Sequence, residues 1–289
     1  MFKKKKDQTY QSYWSISWNI FKKNKVAMVC LFIVILLCLI ALFAPSIAPY
    51  DPNKQVLTDR LMKPCGQHWF GTDDLGRDIF SRIIYGCRVS LSVGIISQII
   101  ATVIGYTMGV CAGYFGGKVD SVISFLIQVF SSFPFLLFAM AIMFVLGPGL
   151  INLYLALGLL GWASTARLIR GDVMRLKKME YIDACKVSGG NSFRIIMKHL
   201  LPNCLSTLIV TVTLGIPNAI MSEASLSFLG LGVKAPMASW GSMISFSQPY
   251  IRSATYYSVI PGLAIIITVL AFNMLGDGLR DALDPKLRS

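Results

Sequence analysis

The stretch 167–203, RLIRGDVMRLKKMEYIDACKVSGGNSFRIIMKHLLPN, is where side chains able to bind a partner are concentrated. Arg167, Arg170, Arg175, Lys177, Lys178, Lys186, Arg194 and Lys198 stand against only Asp172, Glu180 and Asp183, and the chain on either side is apolar. Residues 179–188 read as a short helix, broken at Gly189-Gly190. Gly189 is expected to take a positive φ, because the chain must reverse within one or two residues. A second helix restarts with Asn191 or Ser192 as its N-cap and ends near Pro202. A helix–glycine–helix unit of this charge is a docking surface.

No other polar stretch has the spacing of an active site. Ala112-Gly113-Tyr114-Phe115-Gly116-Gly117-Lys118-Val119 approaches a phosphate-binding loop. It lacks the Ser or Thr that would hold Mg²⁺ and follows an apolar helix where that motif needs a strand, so it reads as a glycine-rich turn. His68 and His199 are isolated, and the seven cysteines form no Cys-x-x-Cys and no Cys/His pattern at metal-ligand spacing. Cys30, Cys38, Cys111 and Cys204 lie in or beside apolar runs as small core residues. Cys65 and Cys87 share one predicted external segment, which allows a disulfide between them. Nucleotide chemistry, where the function uses it, belongs to another polypeptide.

The elements that must position the loop are membrane spans. The chain is 55% hydrophobic and 14% charged, with a mean hydropathy of +0.63, whereas soluble domains carry roughly a quarter charged residues. Its net charge of +13 is clustered at the N-terminus and in the central loop. That distribution fits cytoplasmic retention of basic segments and excludes a continuous nucleic-acid face. The expected fold is all-α and polytopic with six transmembrane helices, at 26–44, 89–112, 121–146, 150–166, 205–221 and 259–275. Each approaches the roughly 20 residues needed to cross about 30 Å of hydrocarbon.

In this scheme residues 1–25 are a cytoplasmic N-terminus, 45–88 an extracellular segment, 89–277 a five-helix core containing the loop 167–203, and 278–289 a cytoplasmic tail. Residues 26–44 are read as an uncleaved span, because the apolar run exceeds that of a signal peptide. Ser97, Ala101, Gly105, Gly109 and Gly113 recur every fourth residue, a stripe expected to pack against another helix of the same chain. Pro134 is expected to kink the third span. The run 225–233 is too short to span and either packs on the bundle or re-enters the membrane.

None of the six cores contains Asp, Glu, Lys, Arg or His. Ion-coupled transporters and proton relays keep such a group at the coupling site, so uphill transport would draw its energy from outside the membrane. Gln128, Ser131 and Ser132, near Pro134, either line a passage or satisfy one another inside the bundle.

Four motifs carry a resemblance. Asp183-Ala184-Cys185, then Gly189, then His199-x-Leu201-Pro202, is similar to the EAA loop of ABC importer permeases, with Asp for Glu, Cys for the second Ala and His199 for Ile. The stretch from His68 through Gly71, Thr72, Asp73, Asp74, Gly76, Arg77 and Asp78 resembles the external signature of the C-type permease of dipeptide, oligopeptide and nickel importers. Glu223 to Gly232, and Leu270 to Asn273 followed by Gly276 to Pro285, resemble two further stretches of that family.

The resemblance implies a type I ABC importer transmembrane domain, non-catalytic and binding no cofactor itself. It would pair with a homologous B-type permease, two cytoplasmic ATPase subunits that hold ATP and Mg²⁺, and an extracellular substrate-binding protein. The subunit would be a multi-pass protein of the cell membrane with both termini cytoplasmic. Glu180, Asp183, Ala184, Cys185, Gly189, His199, Leu201 and Pro202 would form the ATPase-coupling site. The external signature either caps the next helix with a tight turn, the preferred reading, or meets solute. Di- and oligopeptides are the implied solutes, with nickel or a metal chelate as the alternative, and a membrane solute sensor without transport as the reading from another class. Cysteines placed at Asn53 and Lys178 in a cysteine-free background should label from opposite faces of the membrane. Labelling of both from one face overturns the topology.

Overall fold

The computed structural model describes residues 13–283. In order, α1 (Tyr13–Lys23), α2 (Lys25–Leu42) and α3 (Ala44–Ile47) lead into a looped segment with one 3₁₀ turn, Leu57–Asp59. Then come α4 (Ile79–Phe115), α5 (Gly117–Ser132), α6 (Phe135–Leu146), α7 (Leu150–Leu176), α8 (Glu180–Val187) and α9 (Ser192–Ile195). A π turn, Ile196–Leu200, joins α9 to α10 (Leu201–Phe228), and α11 (Trp240–Ser247) and α12 (Thr255–Leu283) complete the bundle. No β-strand occurs among the described residues; the one extended pairing is a bridge between Thr72 and Asp78.

Four helices are long and apolar enough to cross a membrane: Lys25–Leu42, Ile79–Phe115, Ser192–Phe228 and Thr255–Leu283. A fifth span is reached if the bent pair Gly117–Ser132 and Phe135–Leu146 is counted as one. The expected third span, 121–146, is thus broken: Phe133 and Pro134 turn the chain by 90°. Proline has no N–H for the helical ladder and keeps the preceding residue out of helical conformation. The expected fourth span lies within α7, which is not among the membrane-length apolar helices. One face of α7 buries Leu153, Ala156, Leu157, Leu160, Ala163, Ala166, Ile169 and Val173, while Ile151, Leu155, Leu159 and Leu168 are exposed on the other. A helix solvated by its neighbours does not need the apolarity that lipid demands.

Other boundaries move for local reasons. α4 begins at Ile79, inside the expected external segment 45–88, because Asp78 is its N-cap and accepts from Ser81 N at 2.7 Å. The fifth helix runs well past the expected 205–221, through Pro217 to Phe228. It therefore carries the buried Glu223, two residues beyond the expected core 205–221, within a membrane-length helix. α12 extends the last span to Leu283, within the expected tail 278–289. α1 occupies part of the expected N-terminal tail and packs Phe21 against Ala27, Ala271 and Leu275. Lys3 to Lys6 and Asp284-Pro285 lie outside the described residues.

The proposed pairing of Cys65 and Cys87 is not made. Both are free: Cys65 is exposed, whereas Cys87 is buried on α4 with its thiol 3.5 Å from Leu37 O.

The small-residue stripe explains the centre of the bundle. A Cβ on Gly105 would lie 2.8 Å from Trp162 O, on Gly109 2.7 Å from Ala166 O, and on Gly113 2.9 Å from Arg170 O. From the other side, a Cβ on Gly158 would meet Ile100 Cβ at 2.7 Å. α4 and α7 are thus in backbone contact over several turns, within one chain. Gly109→Val should lower the thermal stability of the purified protein by about 1–3 kcal/mol or more. Gly262→Ala on α12, where a Cβ meets nothing within 4 Å, should leave stability unchanged or slightly raised. Scanning fluorimetry of the two variants side by side checks the contact, and equal melting temperatures would refute it.

Candidate functional site

The central loop folds as a hairpin clamped to the ends of α4 and α7. Ile182 from α8, Ile195 from α9 and Leu200 from the π turn are buried with Val110, Tyr114, Ile169, Val173 and Leu176. Lys177 fastens the entry, with Nζ donating to Tyr114 O at 2.5 Å and lying 5.6 Å from the centre of the Tyr114 ring. Tyr114 Oη reaches Ser192 Oγ at 3.4 Å. About two turns earlier, Arg170 grips Asp120 of α5 with two hydrogen bonds of 2.5 and 2.7 Å.

The turn is built as its glycines require. Gly189 has φ +80°, and a Cβ there would meet nothing within 4 Å, so its requirement is conformational. Gly190 is restricted by space, since a Cβ there would lie 2.8 Å from Cys185 O. Asn191 caps the second helix, accepting from Arg194 N at 2.8 Å.

The residues singled out in this loop divide between its two faces. Cys185 and Leu201 pack inward on the buried cluster, while Glu180, Ala184, Gly189 and Pro202 are exposed. Asp183 is also exposed and is paired with Lys186 at 2.7 Å. His199 is half-buried, its ring 6.0 Å from that of Tyr181, so it joins the two arms of the hairpin. The outer face adds apolar side chains that the motif did not point to: Val187 is 90% exposed and Phe193 73%. Phe193 and Met197 line a shallow groove with Gly189, Asn191, Arg194 and Lys198.

At the other end of α4, the external signature forms a closed polar knot. Asp73 Oδ1 accepts from Leu75 N and Arg77 N, both at 2.9 Å, and its Oδ2 receives Arg77 Nε at 2.6 Å. Arg82, 1% exposed, stands 3.4 Å from the same oxygen and donates to Pro52 O at 2.9 Å. Asp78 joins His68 Nδ1 at 2.9 Å to the N-terminus of α4. Thr72 Oγ1 donates to Asp59 O and accepts from Met62 N. Gly71 and Gly76 have φ of +76° and +71°, with backbone packed where their side chains would be. Thr72, Asp73, Arg77 and Asp78 are buried, so the geometry is that of a helix-capping turn.

Between these ends lies a cavity of about 1690 Å³, walled mainly by α4, α6, α7 and α10, with residues of α1, α8 and α12 at its margin. Gln128, Ser131 and Ser132 do not line it. All three are exposed; Ser131 accepts from Arg167 and Ser132 donates to Val129 O, because the break at Pro134 turns α5 away. The polar lining includes Ser97, Gln98, Ser164, Thr165, Thr211 and Asn218. These sit in otherwise apolar runs, and only the packing of α4, α7 and α10 reveals which face inward.

Comparison with known proteins agrees with this anatomy. The model of the binding-protein-dependent transport system inner membrane component matches residues 102–289. That of the N-terminal TM domain of oligopeptide transport permease C matches residues 12–64. The chain is 46% identical over 278 residues to the dipeptide transport system permease protein DppC of Bacillus subtilis, covering 96% of this chain and 87% of that protein. It is 42% identical to the oligopeptide transport system permease protein OppC of the same organism, covering 96% and 91%. The glutathione transport system permease protein GsiD of Pectobacterium atrosepticum is 41% identical, covering 98% and 95%. An inward-facing structure of the MetNI methionine ABC transporter has the same fold, with a TM-score of 0.58 at 19% identity over 71% of this chain and 98% of that one. The chain belongs to the family of binding-protein-dependent transport system inner membrane components, the permease subunits of ABC importers.

Proposed function

We propose that the chain is the C-type permease subunit of an ATP-driven importer of di- or oligopeptides. It forms the translocation path with a homologous B-type permease. An extracellular binding protein delivers the solute, and two cytoplasmic ATPases supply the work. The dipeptide, oligopeptide and glutathione systems of its relatives favour peptide over nickel as the solute. Both termini are assigned to the cytoplasm and the hairpin to the ATPase side, in line with the bases around it.

The observation that carries the reading is the two-faced hairpin. Its inner face is locked to α4 and α7 through Ile182, Ile195 and Leu200, while its outer face exposes Val187, Phe193 and two cations. A helix docked in a groove on an ATPase would move with it, and the inner contacts would pass that motion to the bundle. ATP and Mg²⁺ are assigned to the partner. Gly113, within the phosphate-loop-like stretch, is packed against Val173 inside the bundle, and Gly116 and Gly117 form the turn between α4 and α5.

Gly189→Val should strain the turn by about 1–3 kcal/mol through its φ. Asp183→Ala should leave the fold intact, because an exposed ion pair contributes at most about 1 kcal/mol. Asp183→Lys sets a second cation beside Lys186 and should be the worse of the two for docking. All three proteins should reach the membrane with reduced peptide-stimulated ATP hydrolysis, and Asp183→Lys should release the ATPases in co-purification. Normal assembly and coupling in all three would make the loop a solvated hairpin and end this assignment.

A further inference from the structure

The geometry points to Gln98 as the residue that hydrogen-bonds the backbone of a peptide in transit and so selects for peptide groups in the middle of the path. This inference rests on the peptide-import reading. Gln98 stands on α4 and is 9% exposed, one of the residues lining the cavity. Its Nε2 lies 3.3 Å from Thr102 Oγ1 and 3.5 Å from Thr211 O, both long contacts. Its Oε1 accepts no hydrogen bond among the described residues. The amide rests on Gly215 of α10, where any Cβ would overlap it. The adjacent Ser97 also lines the cavity, is 2% exposed, and has a buried hydroxyl without a partner. A buried polar group without a partner is costly. A passing chain would supply the partner that Gln98 lacks, while the enclosed Ser97 hydroxyl only adds polarity to the wall beside it.

The ligand chemistry follows from what the wall offers. Among the described residues, the charged members of the lining are Arg175 and Arg280, and no acid takes part. A neutral amide presents one acceptor and two donors, which match a peptide N–H and C=O whatever side chains flank them. Such a contact distinguishes peptide groups from other solutes without discriminating among sequences. Gly215 is the matching device: it leaves room for the amide on one side and the solute on the other.

The test uses the assembled complex in vesicles with one binding protein throughout. Uptake of trialanine is compared with that of trialanine methylated on the amide nitrogen of its second residue. In Gln98→Leu, which keeps bulk and loses the amide, the ratio of plain to methylated uptake should fall about fivefold or more, whereas a packing defect lowers both equally. Gly215→Ala should push the Gln98 amide into the path and reduce uptake of both peptides, and Gln98→Ala in the same chain should relieve that block without restoring the preference for the plain peptide. An unchanged ratio in Gln98→Leu overturns the inference and leaves the importer reading standing. Failure of the unaltered complex to take up either peptide overturns the peptide reading, and the inference with it.

Discussion

Everything else in the molecule depends on the backbone contact between α4 and α7. Gly105, Gly109 and Gly113 let α7 approach until the carbonyls of Trp162, Ala166 and Arg170 fill the places of their missing side chains. In lipid, helices gain little from hydrophobic association, so close van der Waals packing carries the association. The contact has a second consequence. It makes α7 a central strut of the bundle, and α7 is the helix from which the hairpin hangs.

The two ends of α4 are then held by different chemistry. At the Asp78 end, charges and hydrogen bonds lock the turn: Asp73 holds Arg77 and stands near Arg82, and Asp78 holds His68 and the helix N-terminus. Such bonds are directional and fix an angle. At the Phe115 end, Ile182, Ile195 and Leu200 hold mainly by apolar contact, which is non-directional, with Lys177 donating to Tyr114 O beside them. A helix fixed in angle at one end and seated in an apolar cluster at the other can transmit a push from the hairpin as a small tilt or rotation. The neighbouring α10 has the opposite character. Pro217 removes a hydrogen bond from its middle and Gly215 lies a turn fraction away, so bending is cheapest beside Gln98.

Much of this was legible in the sequence wherever a local requirement left a local sign. The four-residue period of small residues announced a helix contact, and the reversal after α8 announced a glycine with positive φ. The external motif announced a capping turn because Asp and Gly fall where a turn and an N-cap need them. What was illegible depended on which way a helix faces. Gln128 and Gln98 look alike in an apolar run, yet one is exposed on α5 and the other sits against α10. Cys65 and Cys87 looked like partners until α4 was seen to begin at Ile79 and carry Cys87 into the bundle. A proline announced a break in the third span, but the 90° between its halves is decided by packing.

Glu223 shows how far a tertiary contact overrides sequence logic. An acid 1% exposed in a membrane-length helix is expensive to bury. It is tolerated because Ser227 and Ser239 both donate to its Oε1, at 2.6 and 2.7 Å, while its Oε2 has no partner. Ser239 also caps α11, whose next residue, Trp240, donates its backbone N–H to Ser90 Oγ and its indole N–H to Ile83 O, both on α4. One carboxylate thus ties α10, through α11, to the same α4 that carries Gln98. The cavity wall consequently has two routes to the fixed helix, one through the polar cluster around Glu223 and one through the Gln98–Gly215 contact. Between those two points, at Pro217, α10 lacks a backbone hydrogen bond, so bending of the wall costs least there.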